Sequence, residues 1–400
     1  MRLWDKGNPI DSRILDFTVG EDHFHDLRLV THDCRASKAH AKMLHRNGML
    51  TEKEMESLLN GLSEIERLVE KGEFRIGREQ EDCHTAIEEF LTKNCGKAGQ
   101  KIHLGRSRND QVLTALRLYE KEMLSGIDRA SREFRKSLRN AIRRLGGTAI
   151  PGYTHMQKAM PTSVRIWLGS FDAALRDNQK LLSAVRRILD QSPLGTAAGF
   201  GVPVFAFDRS AAAFEMGFAA VLDNPMYAQM TRGMFEMWIV SVFTGIMFVM
   251  NKLASDLLLF SMEEFGFVEI PDSFCTGSSL MPQKRNPDVL ECVRGSYSVV
   301  LGEECKIKSL VSNLMSGYSR DLQLGKGPLF RAFDTTLQSL EIMKMIVAGM
   351  KIDKNKCLSA ISDDMLATKE AYMLVKKGMP FREAYRKTAQ KYKSTGRKKG

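Results

Sequence analysis

The sequence predicts an all-α protein built round a bundle of long helices. Apolar residues recur every three or four positions over long runs. Pro is scarce, 11 in 400 residues, and long stretches lack Gly. Neither a strand-rich region nor a fixed-period repeat interrupts the pattern.

In chain order, Thr51 and Glu54 form a Thr-x-x-Glu capping box that opens a helix through Val69, ended at Gly72. Val112, Leu116, Tyr119, Met123, Ile127, Ala130, Phe134, Leu138, Ile142 and Leu145 then mark one stripe of a helix starting near Asn109. Such a helix is about 55 Å long at roughly 1.5 Å per residue, and it needs partners of comparable length. Candidates run over 162–190, 231–265 and 288–316, with Pro161, Pro271 and Pro287 beside their breaks or starts. The strongly apolar uncharged run between Glu236 and Lys252 is short of the roughly 18 residues of a membrane span and reads as a buried core helix. Polar, Gly-rich segments at 101–111, 151–163, 192–210 and 274–287 read as loops at bundle ends, where catalytic groups are free to sit.

At 43% apolar and 27% charged, the chain is a globular protein rather than a disordered one or a small disulfide scaffold. Seven dispersed Cys without a Cys-x-x-Cys pair suggest small apolar fillers in a reducing compartment. All eight His fall between positions 23 and 155 without a His-Glu-x-x-His pattern, so no metal and no other cofactor is expected. Asp5 and Lys6 stand where a signal peptide needs apolar residues, which predicts a cytoplasmic protein with no membrane segment. The net charge of +11 raises anionic partners, but residues 371–400 hold ten Lys and Arg against the single acid Glu383. The excess therefore belongs to a basic tail, read as a solvated, frayed end, and nucleic acid is not expected as a partner.

Three segments concentrate chemistry. His103-Leu-Gly-Arg-Ser-Arg-Asn-Asp-Gln111 places two guanidinium groups, a hydroxyl, an amide and a carboxylate before a helix. It reads either as a carboxylate-binding helix N-terminus or as an ordinary polar cap. Thr154 and His155 lie in a segment bounded by Pro151 and Pro161, where the imidazole suits acid–base work if it finds a partner and is otherwise a surface residue. Gly277-Ser-Ser-Leu-Met-Pro-Gln-Lys-Arg-Asn286 is either a flexible linker or a loop whose amides and Lys284 hold a Ser oxyanion or a substrate carboxylate.

Taken in order, Gly105-Arg-Ser-Arg-Asn-Asp-Gln111, Pro151-Gly-Tyr-Thr-His155 and Gly277-Ser-Ser-Leu-Met-Pro-Gln-Lys-Arg-Asn-Pro-Asp288 resemble the signature segments of the fumarase/aspartase superfamily. The first and third together resemble the argininosuccinate lyase family. The likeness extends from Leu3-Trp4 to Pro380-Phe-Arg-Glu-Ala384. It implies an all-α homotetramer with a twenty-helix core, five long helices per subunit, and active sites assembled from three chains. It also implies a mostly helical N-terminal domain over 1–103, the long-helix domain over 104–350 and a shortened C-terminal helical domain over 351–400. The implied reaction is reversible β-elimination of argininosuccinate to arginine and fumarate without a cofactor. By the same resemblance Ser278 is the general base, His155 the general acid or its relay, Glu291 the carboxylate that orients His155, and Lys284 the stabilising cation. Substrate contacts are implied for His84, Ser107, Arg108, Asn109, Thr154, Asn286, Tyr318, Gln323 and Lys326.

The sequence departs from the family pattern in places. Acidic neighbours of Lys326 are replaced in Gln323-Leu-Gly-Lys326, most of Asn224-Pro-Met-Tyr-Ala-Gln-Met-Thr-Arg-Gly233 differs, and Asp22 stands where a substrate-binding Ser is common. Asp22 is read as a residue able to meet a substrate guanidinium. The chain also stops about 60 residues before a typical family member. A related fumarate-releasing lyase acting on adenylosuccinate, or a silent structural protein of the crystallin kind, are the alternatives the sequence leaves open.

Overall fold

The computed structural model describes residues 10–396, with side chains described to Tyr392. Leu3 and Trp4, and residues 397–400 of the basic tail, lie outside the described residues. The described residues form two compact units. One gathers 10–128, Lys180–Thr244 and Val299–Thr336; the other gathers Arg129–Gln179, Gly245–Ser298 and 337–396.

Five long helices dominate: Arg108–Leu145, Val164–Leu189, Pro225–Ser261, Asp288–Val311 and Lys326–Gly349. All four helices expected from periodicity are present. The capping box is present as expected, with Glu54 N–H donating to Thr51 Oγ1 at 3.3 Å and Thr51 N–H to Glu54 Oε2 at 2.9 Å, and Gly72 takes a φ of +70° just past the helix Glu52–Glu70. Strands among the described residues are short and form three two-stranded pairs.

The single apolar stripe expected along Arg108–Leu145 holds beyond its first three turns, where Ile127, Phe134 and Leu138 are fully buried. Before that, every residue from Asp110 to Glu120 is buried, Arg117 and Glu120 included. Pattern reading assigns charged residues to water, so this all-round burial is invisible to it. In the first unit Leu118 packs with Ala36, Ala39, Met43, Leu194, Ala212, Met216 and Phe218. In the second, Trp167 donates to Asp256 at 2.8 Å and packs on Phe260, while Leu168, Leu175, Leu253 and Leu257 are fully buried.

Four expectations need correction. The segment 151–163 is a β-hairpin, not a loop: Ala149–Thr154 pairs antiparallel with Gln157–Ser163. Pro151 and Pro161 face each other, which a two-strand ribbon tolerates where that pair exchanges no N–H bond. The helix expected over 231–265 begins at Pro225 and breaks at Arg232 and Gly233, whose ψ of 125° and φ of +87° are non-helical. Cys292 and Cys305 are exposed rather than core fillers, although Cys34, Cys83 and Cys357 are buried. The tail does not fray at Lys391: the helix Phe381–Gly396 continues through it, and Lys391 and Tyr392 both bond Glu370.

The apolar helix Pro225–Ser261 reaches a mean hydropathy of 1.7 over its most apolar 18 residues, long and apolar enough to cross a membrane, yet 61% of that window is buried inside the protein. Its break is held by Gly233 N–H donating to Glu236 Oε2 at 2.5 Å, as the N3 glutamate of a capping box reaches back to the residue where a helix restarts. A Cβ at Gly233 would stand 2.2 Å from Val311 Cγ1 in addition to the unfavourable φ. Gly233→Ala is therefore expected to cost about 2–4 kcal/mol, read as a fall of several degrees in melting temperature, whereas Gly126→Ala, at a helical glycine with open space around it, is expected to raise the melt slightly, by about 0.4–1 kcal/mol of stability.

Candidate active site

The sequence-predicted residues divide between the two units. Asp22, His84, Ser107, Arg108, Asn109, Tyr318, Gln323 and Lys326 belong to the first; Thr154, His155, Ser278, Lys284, Asn286 and Glu291 belong to the second.

In the first unit, the start of the helix Arg108–Leu145 is fixed by Asp110. Its Oδ1 accepts Ser107 N–H and its Oδ2 accepts Gly195 N–H and Ala197 N–H, each at 2.9 Å. One buried carboxylate thus ties the helix to the loop after Ser192-Pro-Leu-Gly195 and holds Ser107 and Asn109 half-buried at the helix end. Arg108 points at acids of its own unit: Nε lies 3.1 Å from Asp82 Oδ2, Nη1 3.4 Å from Glu81, and Nη2 donates to Thr85 Oγ1 at 3.1 Å. Asp82 also caps the helix Cys83–Cys95 through Thr85 N–H, and His84 follows it.

His84 is buried, with Nδ1 2.6 Å from Asp33. Burial alone would lower the imidazole pKa, but Asp33, Asp82 and Asp26 override it and raise the value. Burial would raise both carboxyls, yet Asp33 is held below the usual range by His84 and Arg106, and Asp82 by His84 and Arg108. Asp26, Cys83 and His84 stand close enough to suggest a ligand set, but hydrogen bonds account for the grouping: Asp26 serves Lys326 and Cys83 N–H, and His84 serves Asp33.

Lys326 opens its helix fully buried, Nζ 2.5 Å from Asp26 and 2.9 Å from Asp22. Burial opposes its charge, but the two carboxylates raise its pKa above the ordinary lysine value. Asp22 is pushed up to about 6, chiefly by burial, against the pull of Lys326. Gln323 Nε2 donates to Thr18 O at 3.0 Å and Val19 O at 3.2 Å, and Arg320 bonds Thr18 O and Glu81. The segment 318–326 is thereby docked on residues 18–28. Tyr318 is exposed on one side and carries the Arg232 guanidinium 5.4 Å from its ring centroid on the other.

In the second unit, the hairpin turn consists of His155 and Met156, both at positive φ (52° and 58°), the two-residue primed turn that suits a twisted ribbon. Thr154 and His155 are exposed at its tip. The Ser278 segment is closed at its neck by a bridge in which Thr276 and Asn286 each donate an N–H to the other's carbonyl at 2.9 Å. Thr276 Oγ1 bonds Asp288 at 2.7 Å, Asn286 Nδ2 bonds Gly277 O at 3.3 Å, and Arg285 reaches Ile270 O and pairs with Asp272. Ser278 Oγ accepts N–H bonds from Leu280 at 3.3 Å and Met281 at 3.1 Å, so backbone dipoles already point at that oxygen. Lys284 and Glu291 are exposed, and within the chain Glu291 makes neither a hydrogen bond nor an ion pair with His155.

The sequence reading did not single out Asp26, Asp33, Asp82 or Arg232, and it took Asp110 only as a first-turn carboxylate of an ordinary cap. Asp22, Asp26 and Asp33 lie four and seven residues apart in a His-rich stretch, a helical spacing that was the available signal.

A family model described as lyase matches residues 11–302, which makes the chain a lyase. Similarity narrows this further. The argininosuccinate lyase of Thermotoga neapolitana is 48% identical over 391 residues, 98% of this chain and 98% of that one. The argininosuccinate lyase of Sorangium cellulosum is 44% identical, covering 97% and 90%. Among solved structures, an EDDS lyase in complex with formate has a TM-score of 0.84 at 23% identity, covering 93% of this chain and 73% of that one. A class II fumarase from Schistosoma mansoni has a TM-score of 0.78 at 16% identity, covering 96% and 92%. The chain belongs to the argininosuccinate lyase family of the fumarase/aspartase superfamily.

The His84 geometry sets a pH dependence. A histidine whose folded pKa is raised contributes stability that is complete below its unfolded value and is lost as pH rises through the folded value. The difference in unfolding free energy between the wild type and His84→Gln is expected to be largest near pH 6 and to shrink as pH rises beyond the ordinary histidine range. A difference that grows with pH removes the imidazolium from this site.

Proposed function

We infer that the chain is an argininosuccinate lyase, cleaving argininosuccinate reversibly to arginine and fumarate. The observation that carries this is 48% identity with an argininosuccinate lyase over nearly the whole of both chains. The residues are suited to the chemistry. The proton to be removed lies beside a carboxylate and is weakly acidic, so its removal must be coupled to stabilising a dianionic aci-carboxylate. Lys284, Asn286 and the Ser278 loop amides supply charge and N–H donors for that purpose. Ser278 serves as base because its alkoxide gains the same amides and Lys284 once water is expelled. His155, oriented by Glu291, returns a proton to the departing guanidine nitrogen, directly or through water. Ser107, Arg108, Asn109, Thr154, Tyr318, Gln323 and Lys326 are assigned to substrate, with His84 a neighbour.

We propose that the active unit is a homotetramer with sites shared between chains. Two observations support this. Glu291 and His155 do not meet within one chain, and the long helices carry exposed apolar side chains, Ile166, Leu181, Phe248, Val299 and Met345. A cytoplasmic location accords with a metabolic lyase of this kind.

The purified protein is expected to release fumarate from argininosuccinate, followed by ultraviolet absorbance, and none from adenylosuccinate; the reverse preference overturns the assignment. Ser278→Ala is expected to lower kcat by at least about 10³-fold while argininosuccinate still binds, and a Ser278→Ala enzyme with normal turnover sinks its role as base. His155→Asn is expected to lose turnover in both directions.

A further inference from the structure

Lys326 has an unusual setting for a residue assigned to substrate. It is 2% exposed, and its ammonium touches two carboxylates of one short stretch, Asp26 at 2.5 Å and Asp22 at 2.9 Å. Asp26 is independently anchored, its second oxygen accepting Cys83 N–H at 3.1 Å. Asp22 is 8% exposed and is not held in that way: Lys326 is the partner its carboxylate meets in an ion pair. An ammonium has three N–H donors, and two carboxylates fix two of them, leaving the direction of the third determined. The residues beside Lys326, Leu324 and Gly325, carry no acid, so the counter-charge comes from across the fold. A narrow pocket lined by Arg232, Gly233, Glu236, Leu322, Gly325 and Lys326 lies next to this ion pair.

We propose that Asp22 is a positioning residue for the arginine end of the substrate, acting through Lys326, rather than a direct partner of the substrate guanidinium. This rests on the assignment of Lys326 to substrate made above. With Asp22 and Asp26 on either side, the Lys326 ammonium is held at one place at the start of its helix. With Asp22 neutral, the ammonium collapses onto Asp26 and its remaining donor turns away. The effect is on binding, because neither Asp22 nor Lys326 is among the groups that move the reacting protons.

The test is a double-mutant cycle on the full-length enzyme, with KM and kcat for argininosuccinate and the melting temperature of each chain. Fumarate release by the wild type comes first, and its absence refutes the assigned activity without bearing on Asp22. In an active enzyme, Asp22→Asn is expected to raise KM about tenfold with kcat within about twofold. Lys326→Met is expected to raise KM at least as much, and adding Asp22→Asn to it to change KM no further and to raise the melting temperature, since a buried carboxylate left without its cation is removed. Additive effects on KM, or an Asp22→Asn effect confined to kcat, overturn the proposal. Should the Lys326→Met chain not melt cooperatively, Asp22→Glu decides: it keeps the charge on a longer arm, KM is expected to rise about threefold, and an unchanged KM overturns the proposal.

Discussion

Between Asp110 and Glu120 no face of the helix Arg108–Leu145 reaches water, and this burial dictates much of what surrounds it. A buried polar group without a partner costs several kcal/mol, so each one recruits structure. Asp110 recruits the loop at Gly195 and Ala197. Arg117, fully buried, bonds Glu120 at 3.0 Å and Thr231 at 3.2 Å and lies 4.2 Å from the Phe235 ring centroid. Thr231 and Phe235 flank the break at Arg232 and Gly233, so the interruption of one long helix sits where a charge on another needs it. Burial raises the Glu120 carboxyl well above its usual value, and the nearby Glu236 carboxylate adds to the effect against the pull of Arg117.

The same logic extends to the ends of the elements. Three candidate residues in the first unit are placed by ionic contacts between distant segments: Arg108 by Glu81 and Asp82, His84 by Asp33, Lys326 by Asp22 and Asp26. Buried pairs of this kind add little net stability compared with apolar packing, but breaking one is costly, and so they fix where side chains stand. The second unit differs. Thr154 and His155 are exposed at a hairpin tip, Ser278, Lys284 and Asn286 lie in a loop closed by main-chain bonds, and Glu291 is exposed in the first turn of the helix Asp288–Val311.

Much of this was legible in the sequence. Helix positions followed from apolar periods, because a bundle's interior is written in spacing. The three signature segments pointed to the reaction, because chemistry restricts residue type. The hairpin at 149–163 was hidden by two prolines that ordinarily argue against strands. The break in Pro225–Ser261 was hidden because Thr-Arg-Gly reads as helix or loop alike. Least legible were the ion pairs, such as Asp22 with Lys326, since residues some 300 positions apart announce nothing of their contact in one sequence. The departures at 22 and at 324–325 meet at one contact, the Lys326 ammonium held between Asp22 and Asp26.

The paired Thr276 and Asn286 have a kinetic consequence. A tether fixed at one point explores a volume that grows with its length, and ordering it over a substrate is correspondingly slow and costly. The chain from 277 to 285 is instead a ring of fixed circumference, both feet pinned by main-chain bonds and braced by Asp288 and Asp272. For the role proposed for Ser278, a loop so closed has fewer conformations to lose on ordering than an open tether of the same length. The Leu280 and Met281 N–H groups that meet Ser278 Oγ belong to the same closed segment, so the hydroxyl and its donors are held as one piece.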